Sequence, residues 1–267
     1  MLDRSGPPRL ELRHISKRFG AVQALQDVNF EVYAGEVVGL VGDNGAGKST
    51  LIKVIAGSYQ PDTGEIYFEG QRVEIRNPQD ASRLGIETVY QDLALCDNLD
   101  VVANLFLGRE RVRTLVPRVW RSLSEIEMET RAITVLRSLD VKIPSVRTAV
   151  AALSGGQRQS VAVSKTVLWN SKVVLLDEPT AALGVAQTRQ VLDLIRRLRA
   201  QGLAVVVISH NLRDIFDVVD RVIVLRLGRR VGSYNIKETT AEQVVAAITG
   251  AEFGDPDAAS VAANGEA

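Results

Sequence analysis

Gly42-Asp43-Asn44-Gly45-Ala46-Gly47-Lys48-Ser49-Thr50 follows the short apolar run Glu36-Val37-Val38-Gly39-Leu40-Val41 and leads into helical spacing from Lys48 to Ala56 that stops at Gly57. The stretch fits G-x-x-x-x-G-K-[ST], and the strand before it and helix after it are the context that gives the pattern meaning. Glycines let successive backbone N–H groups turn inward as a phosphate-sized nest, and the helix starting near Lys48 adds its positive end. Lys48 then has the reach for β- and γ-phosphates, and Ser49 has a hydroxyl to offer Mg²⁺.

Outward from that loop, the 267 residues are 46% apolar and 24% charged, enough for a large core under a solvated surface. Lysine plus arginine and aspartate plus glutamate are both 32, so no global field points to nucleic acid or to a basic partner. The single Cys96 excludes an intramolecular disulfide framework and reads as a small buried hydrophobe. No charged segment followed by an apolar stretch opens the chain, which argues for a cytosolic location. The longest apolar runs, Leu203 to Ile208 and Val173 to Leu176, fall far short of the roughly 18 residues of a membrane-spanning helix. Any work at a membrane needs a partner that supplies the spans.

Residues 1–9, with Gly6-Pro7-Pro8, read as a flexible leader. Alternation over 10–36 reads as strand, as do Glu65 to Phe68 and Gly85 to Tyr90, with a loop at Asn77-Pro78 between them. Residues 98–107 and 121–139 carry apolar positions at helical spacing, so 92–168 reads as a helical subdomain inserted into an α/β core. The rhythm then resumes with strand 172–177, helix 186–200, strand 204–209 and helix 212–219, which implies parallel strands with crossover helices. A closing hairpin over 221–234, a helix over 240–249 and a disordered tail over 251–267 complete a single domain spanning 10–250.

Two further motifs bear on chemistry. Val173-Val174-Leu175-Leu176-Asp177-Glu178 is an apolar strand ending in two acids at the carboxyl edge of the sheet, where open α/β folds bind ligands. Asp177 suits Mg²⁺ through water, and Glu178 suits a general base; alone, the pair could equally be a solvated strand end. Leu153-Ser154-Gly155-Gly156-Gln157-Arg158-Gln159 precedes a helical run, with Ser154 as N-cap and the following amides as a second anion site. One chain thus carries two phosphate-binding helix starts.

In these motifs the sequence resembles the ABC ATPase family over about residues 10–250. Residues 42–50 match its Walker A motif, 153–157 its LSGGQ signature and 173–178 its Walker B strand. Gln91 after Val89-Tyr90 matches the Q-loop glutamine, His210 after Val207-Ile208-Ser209 the H-loop histidine, and Phe19 in Lys17-Arg18-Phe19-Gly20 the aromatic that stacks on adenine. The resemblance implies a P-loop NTPase fold of the ABC type: a mixed-sheet core, an N-terminal antiparallel β subdomain and an inserted helical subdomain. It also implies ATP with Mg²⁺, the metal held at Ser49, Gln91 and Asp177, and catalysis by Glu178, His210, Lys48 and Gln91. Nucleotide would be bound by Phe19 and by Gly42, Asp43, Asn44, Gly45, Ala46, Gly47, Lys48, Ser49 and Thr50. The signature Ser154, Gly155, Gly156 and Gln157 of a second, head-to-tail ATPase subunit would close over it. One departure stands out: the family usually reads Ser-Ala-Leu-Asp after Pro-Thr, whereas Ala181-Ala182-Leu183-Gly184 ends in glycine here.

Residues 92–110, Ala181 to Val185 and Ile208 to Leu212 look like those of bacterial simple-sugar importers. This implies a monosaccharide cargo, an integral membrane permease, indirectly a substrate-binding protein, no nucleic acid, and a place at the cytoplasmic face of the inner membrane. Import of another small solute, or a soluble ABC protein, is the rival reading.

Overall fold

Alternation in the first thirty residues becomes two long antiparallel strands, β1 (Leu10–Phe19) and β2 (Val22–Val32), and the buried run before the glycine loop becomes β3 (Val37–Val41). The computed structural model describes residues 6–116 and 120–251; the first five residues of the expected leader and the tail from 252 lie outside the described residues. After β3 come α1 (Lys48–Ile55), β4 (Thr63–Phe68), β5 (Gln71–Val73), α2 (Pro78–Leu84) and β6 (Ile86–Val89). The middle of the chain holds α3 (Val101–Phe106), β7 (Val112–Val116), β8 (Trp120–Leu123), α4 (Glu125–Ser138) and α5 (Gly155–Leu168). Then follow β9 (Val173–Asp177), α6 (Val185–Ala200), β10 (Ala204–Ile208), α7 (Leu212–Val218), β11 (Arg221–Arg226), β12 (Arg229–Asn235) and α8 (Ala241–Thr249).

The central sheet runs β12-β11-β3-β10-β9-β6, parallel except for the β12 edge. Its interior strands are continuous apolar runs, because a sheet covered on both faces has no solvent side to alternate toward. One face packs with the second sheet, β2-β1-β4-β5, around Phe30, Leu12, Leu40 and Ile55. The other face meets α6, α7 and α8 around Leu176, Ile195, Val205 and Val222. A third cluster, with Phe106, Leu136, Val150 and Val161, is the core of the helical insert. The hairpin at Leu227-Gly228 closes as its sequence implies, with φ of 49° and 77° at the two central residues, the left-handed pair that a tight hairpin turn requires.

Three readings are corrected. The insert over 92–168 is not purely helical: β7 and β8 pair antiparallel within it, Val112 opposite Leu123 and Arg113 opposite Ser122. Strands this short contain too few period-two repeats to stand out beside helical neighbours. The Asn77-Pro78 loop is a helix start: the Asn77 side chain accepts from the Asp80 N–H at 3.0 Å with proline in the first turn. Cys96 is half-buried rather than buried. At the end of the expected leader, Arg9 N–H donates to Val32 O at 2.9 Å and its guanidinium pairs with Glu69, so the chain is already fastened there.

A buried ion cluster binds the two sheets together. The Arg221 guanidinium, 6% exposed, donates to Glu36 Oε1 (3.0 Å), Glu31 Oε1 (2.7 Å) and the Glu31 carbonyl (2.7 Å). Glu36 is fully buried and also accepts from Tyr33 N–H at 2.9 Å, so both charges are compensated.

Candidate functional site

The strand order brings the functional ends of four strands side by side. Leu40 on β3 pairs with Ile208 on β10, Ile208 pairs with Asp177 on β9, and Val89 on β6 pairs with Leu176. The residues just past those ends are the glycine loop, His210, Glu178 and Gln91. They line one edge of the sheet at about 4.8 Å per strand.

The loop after β3 is shaped by close backbone approach. Gly42 has φ 151°, and a Cβ there would lie 2.2 Å from the Leu225 carbonyl; Gly47 has φ 104° and would meet the Ala24 carbonyl at 2.7 Å. Gly228 N–H donates to Ala46 O at 3.1 Å, which ties the loop to the β11–β12 hairpin. Lys48 Nζ donates to the carbonyls of Gly42 (2.8 Å) and Asp43 (2.9 Å), so the ammonium is held at the mouth of the loop. Burial lowers the Lys48 pKa, opposed by the charges of Glu178, Asp43 and Asp177. Ser49 is exposed and Thr50 half-buried in the first turn of α1, and Asp43, Asn44 and Gly45 form the exposed rim. Asp43 Oδ1 accepts from Asn44 N–H at 2.7 Å.

Across from the loop, burial followed by repulsion from Glu178 raises the Asp177 pKa, while Lys48 and Lys53 pull it down. Glu178 stands at φ 50°, a left-handed backbone that costs a non-glycine residue about 1 kcal/mol or more and that recurs at functional sites. Its N–H donates to Ile208 O (2.9 Å), and its Oε1 accepts from His210 N–H (3.1 Å). His210 Nδ1 lies 2.9 Å from Glu178 Oε2, but off the line a hydrogen bond needs, which leaves that buried oxygen without a hydrogen bond inside the protein. The imidazole itself is 77% exposed, which frees it to turn toward a ligand. A half-buried carboxylate pair, a serine hydroxyl and a glutamine amide are hard oxygen donors suited to Mg²⁺ beside a phosphate. No group of three or more His, Cys, Asp or Glu among the described residues forms an all-protein metal cage.

Ser154 and Gln157 lie elsewhere. Ser154 is exposed and caps α5 reciprocally: Gln157 N–H donates to its Oγ at 3.3 Å, and Ser154 N–H donates to Gln157 Oε1 at 3.0 Å. Helix α5 neighbours α3, α4, α6 and β6, whereas α1 packs on β2, so the two anion-binding helix starts belong to different parts of the fold. Gly155 and Gly156 are small because Leu183 and Gln187 crowd them; a Cβ on Gly156 would lie 3.0 Å from Gln187 Cβ. Phe19, at the end of β1, is 41% exposed, meets Tyr59 edge-on with ring centroids 5.0 Å apart and has Lys17 Nζ over its ring at 5.5 Å from the centroid. Gly184 is the N-cap of α6 and supplies no side-chain cap. A groove of about 740 Å³ lined by Leu183, Arg189, Leu192, Arg213 and Phe216 lies between α6 and α7.

Two supporting residues escape a sequence reading. Asn104, fully buried in α3, accepts from Cys96 N–H (2.7 Å) and donates to the carbonyls of Cys96 and Asp100 (both 3.0 Å), fixing the segment that follows Gln91. Thr180 Oγ1 donates to Asp214 Oδ2 at 2.7 Å, tying the turn after Glu178 to α7. An asparagine inside an apolar helix is a signal for the first; nothing local signals the second.

Residues 25–181 match the family model described as ABC transporter. The chain is 46% identical over 258 residues to the fructose import ATP-binding protein FrcA of Rhizobium meliloti, covering 96% of this chain and 98% of that one. It is 45% identical over 245 residues to the xylose/arabinose import ATP-binding protein XylG of Sulfolobus acidocaldarius, covering 92% and 95%. Against the ribose import ATP-binding protein RbsA of Caldanaerobacter subterraneus subsp. tengcongensis it is 39% identical and spans 48% of that protein's length. Among solved structures, an ABC transporter cassette in its ADP conformation superposes with a TM-score of 0.77 at 25% identity, covering 97% of this chain and 99% of that one. A dimeric ATP-binding cassette bound to ADP and Pi shares the fold with a TM-score of 0.69, over 86% of this chain. The sheet-edge geometry and an alignment that runs almost end to end agree, and this chain belongs to the ATP-binding family of ABC transporters.

Proposed function

We propose that the chain is the ATP-hydrolysing subunit of an ABC importer for a simple sugar. The single observation that carries the ATPase reading is the edge where Lys48, Asp177, Glu178 and His210 converge on the glycine loop. The loop amides and Lys48 hold the β- and γ-phosphates. Ser49, Gln91 and, through water, Asp177 would hold Mg²⁺, which would supply charge neutralisation of the phosphates. Glu178 accepts the proton of the attacking water as oxygen bonds to the γ-phosphorus and the bridging bond to ADP breaks, releasing ADP and phosphate. His210, anchored through its backbone to Glu178, orients the water and γ-phosphate from the other side. Phe19 offers its ring to the adenine, and Ser154 to Gln157 of a second subunit close the site head-to-tail.

The sugar reading rests on relatives that import fructose, xylose, arabinose and ribose. No helix among the described residues is long and apolar enough to cross a membrane, so a permease supplies the pore, with a substrate-binding protein delivering cargo to it. The chain works at the cytoplasmic face of that membrane. Replacing Glu178 by Gln tests the mechanism: turnover falls at least about 100-fold, nucleotide binding persists and ATP-bound dimers accumulate. Unchanged turnover refutes it. Uptake of labelled fructose, xylose and ribose in a strain lacking the gene, complemented with wild type or Glu178→Gln, tests the cargo. Restoration of none of the three by wild type rejects the sugar assignment.

A further inference from the structure

Arg197 lies on the last turn of α6, outside every motif above, yet its guanidinium reaches out of the core. Nη1 donates to the Leu139 carbonyl at 2.5 Å, and Nη2 donates to Asp140 Oδ2 at 2.8 Å. Leu139 and Asp140 end α4, where Asp140 adopts a left-handed φ of 51°. Two residues on, the Lys142 carbonyl accepts from Gln157 Nε2 at 3.1 Å. Gln157 Oε1 in turn accepts from Ser154 N–H, and Ser154 Oγ accepts from Gln157 N–H. A continuous chain of bonds therefore runs from Arg197 through the 139–142 turn and Gln157 to Ser154.

Apolar packing seats the same turn, with Leu139 fully buried in the core and Val141 packed beside it. A cleft of about 130 Å³ lies between α5, α6 and the turn, bordered by Val141, Ser160, Gln190 and Leu194. Among the described residues, the hydrogen bonds that join 139–142 to anything other than α4 are those from Arg197 and Gln157. Leu139 and Val141 seat the turn by packing, which is not directional, whereas charge-assisted bonds of a planar fork fix direction as well as distance, so Arg197 orients the turn, and with it the Gln157 amide. At its other end α6 touches the same helix start, where Gln187 crowds Gly156. One core helix thus gauges the start of α5 from both sides.

We infer that Arg197 is a positioning residue for the Ser154–Gln157 helix start, acting through the Leu139–Lys142 turn to hold it in the orientation that engages nucleotide on a second copy of the chain. This rests on the reading of Ser154 to Gln157 given under Proposed function. In a Glu178→Gln background, ATP-driven dimerisation is followed by size-exclusion chromatography over a range of protein concentrations. Nucleotide affinity of the dilute monomer is followed with a fluorescent ATP analogue. Arg197→Ala shifts the dimerisation midpoint to roughly tenfold higher protein concentration, the loss expected for one charge-assisted hydrogen bond, and leaves monomer affinity within about twofold. Arg197→Lys, which keeps the cation but not the fork, recovers part of the shift, and Asp140→Ala moves the midpoint in the same direction as Arg197→Ala. Because Arg197 acts through Gln157, Arg197→Ala adds little to Gln157→Ala in the double variant. Unchanged dimerisation in Arg197→Ala, additivity with Gln157→Ala, or a parallel fall in monomer affinity overturns the inference alone. Failure of the Glu178→Gln parent to dimerise with ATP overturns the inference together with the reading beneath it.

Discussion

Gly42→Ala separates the shape of the phosphate loop from its composition. The ideal Cβ at Gly42 falls 2.2 Å from the Leu225 carbonyl oxygen and 3.0 Å from Ala46 Cβ, on a backbone at φ 151°. Ordinary contact begins near 3.4 Å, so the loop and the end of β11 must part by about 1 Å, and neither neighbour is a flexible side chain. The backbone conformation costs roughly 1 kcal/mol for alanine, and the forced separation adds about 2 kcal/mol or more, for a loss near 3 kcal/mol. The displaced element carries Lys48 and the loop amides, and a 1 Å misplacement at a reacting centre costs about 100-fold in rate. Gly202→Ala is the control: φ is 82° in an exposed turn with nothing within 4 Å, so it loses only the roughly 1 kcal/mol backbone term and no activity. Urea denaturation of both variants and steady-state ATP turnover decide the matter. If Gly42→Ala turns over within tenfold of wild type, or is destabilised no more than Gly202→Ala, the collision with β11 does not shape the loop.

Arg221→Met removes the guanidinium from the buried Glu36 carboxylate and destabilises the protein by about 3–5 kcal/mol in urea, whereas Arg221→Met/Glu36→Leu recovers most of the loss; equal stability of the two rejects a compensated ion pair. The Asp177 pKa is raised in the fold, so its contribution is present below its unfolded value and is lost as pH rises through the folded one. Asp177→Asn therefore raises the melting temperature of nucleotide-free protein at neutral pH, with the gain vanishing toward acid; a gain that persists at pH 3 counts against it. Lys48 is lowered, so its contribution is present above its unfolded value and is lost as pH falls through the folded one, and Lys48→Met also raises the neutral-pH melting temperature while abolishing turnover. Gly184→Asp gives α6 a capping carboxylate and stabilises by about 0.5 kcal/mol in thermal melts, and no change shows that water already caps the helix.

Most of the site was legible in the sequence because each piece sits at a strand end or helix start, where period and punctuation are strongest. Val37 to Val41, Val173 to Asp177 and Ala204 to Ile208 are unmistakable buried strands, and they define where Lys48, Glu178 and His210 stand. Adjacency was not legible in that way. Strand order β3-β10-β9-β6 pairs strands far apart in the chain, β3 (Val37–Val41) with β10 (Ala204–Ile208) and β6 (Ile86–Val89) with β9 (Val173–Asp177), and no local pattern in Gln91 or His210 announces that their strands flank β9. The residues missed altogether act by long-range contact: Arg221 on Glu36, Thr180 on Asp214, Arg197 on Asp140. Their side chains look like ordinary surface polarity until the partner is in view.

The left-handed backbone at Glu178 and the glycine N-cap at Gly184 fall within one seven-residue turn, Glu178 to Gly184, and together they show how the turn is built. Glu178 is forced into a left-handed conformation by the bond from its N–H to Ile208 O, and Thr180 fastens the next step to α7 through Asp214. Ala182 is again left-handed, at φ 59°, before the chain relaxes into extended geometry at Gly184. The base is held against β10 and His210, while at the end of the turn that meets Gly155 through Leu183 the Gly184 N–H donates to Gln187 Oε1 at 3.2 Å. With glycine there, the start of α6 rests on the Gln187 side chain, which also crowds Gly156, so the far end of the turn is built against the α5 start while Glu178 is held from β10.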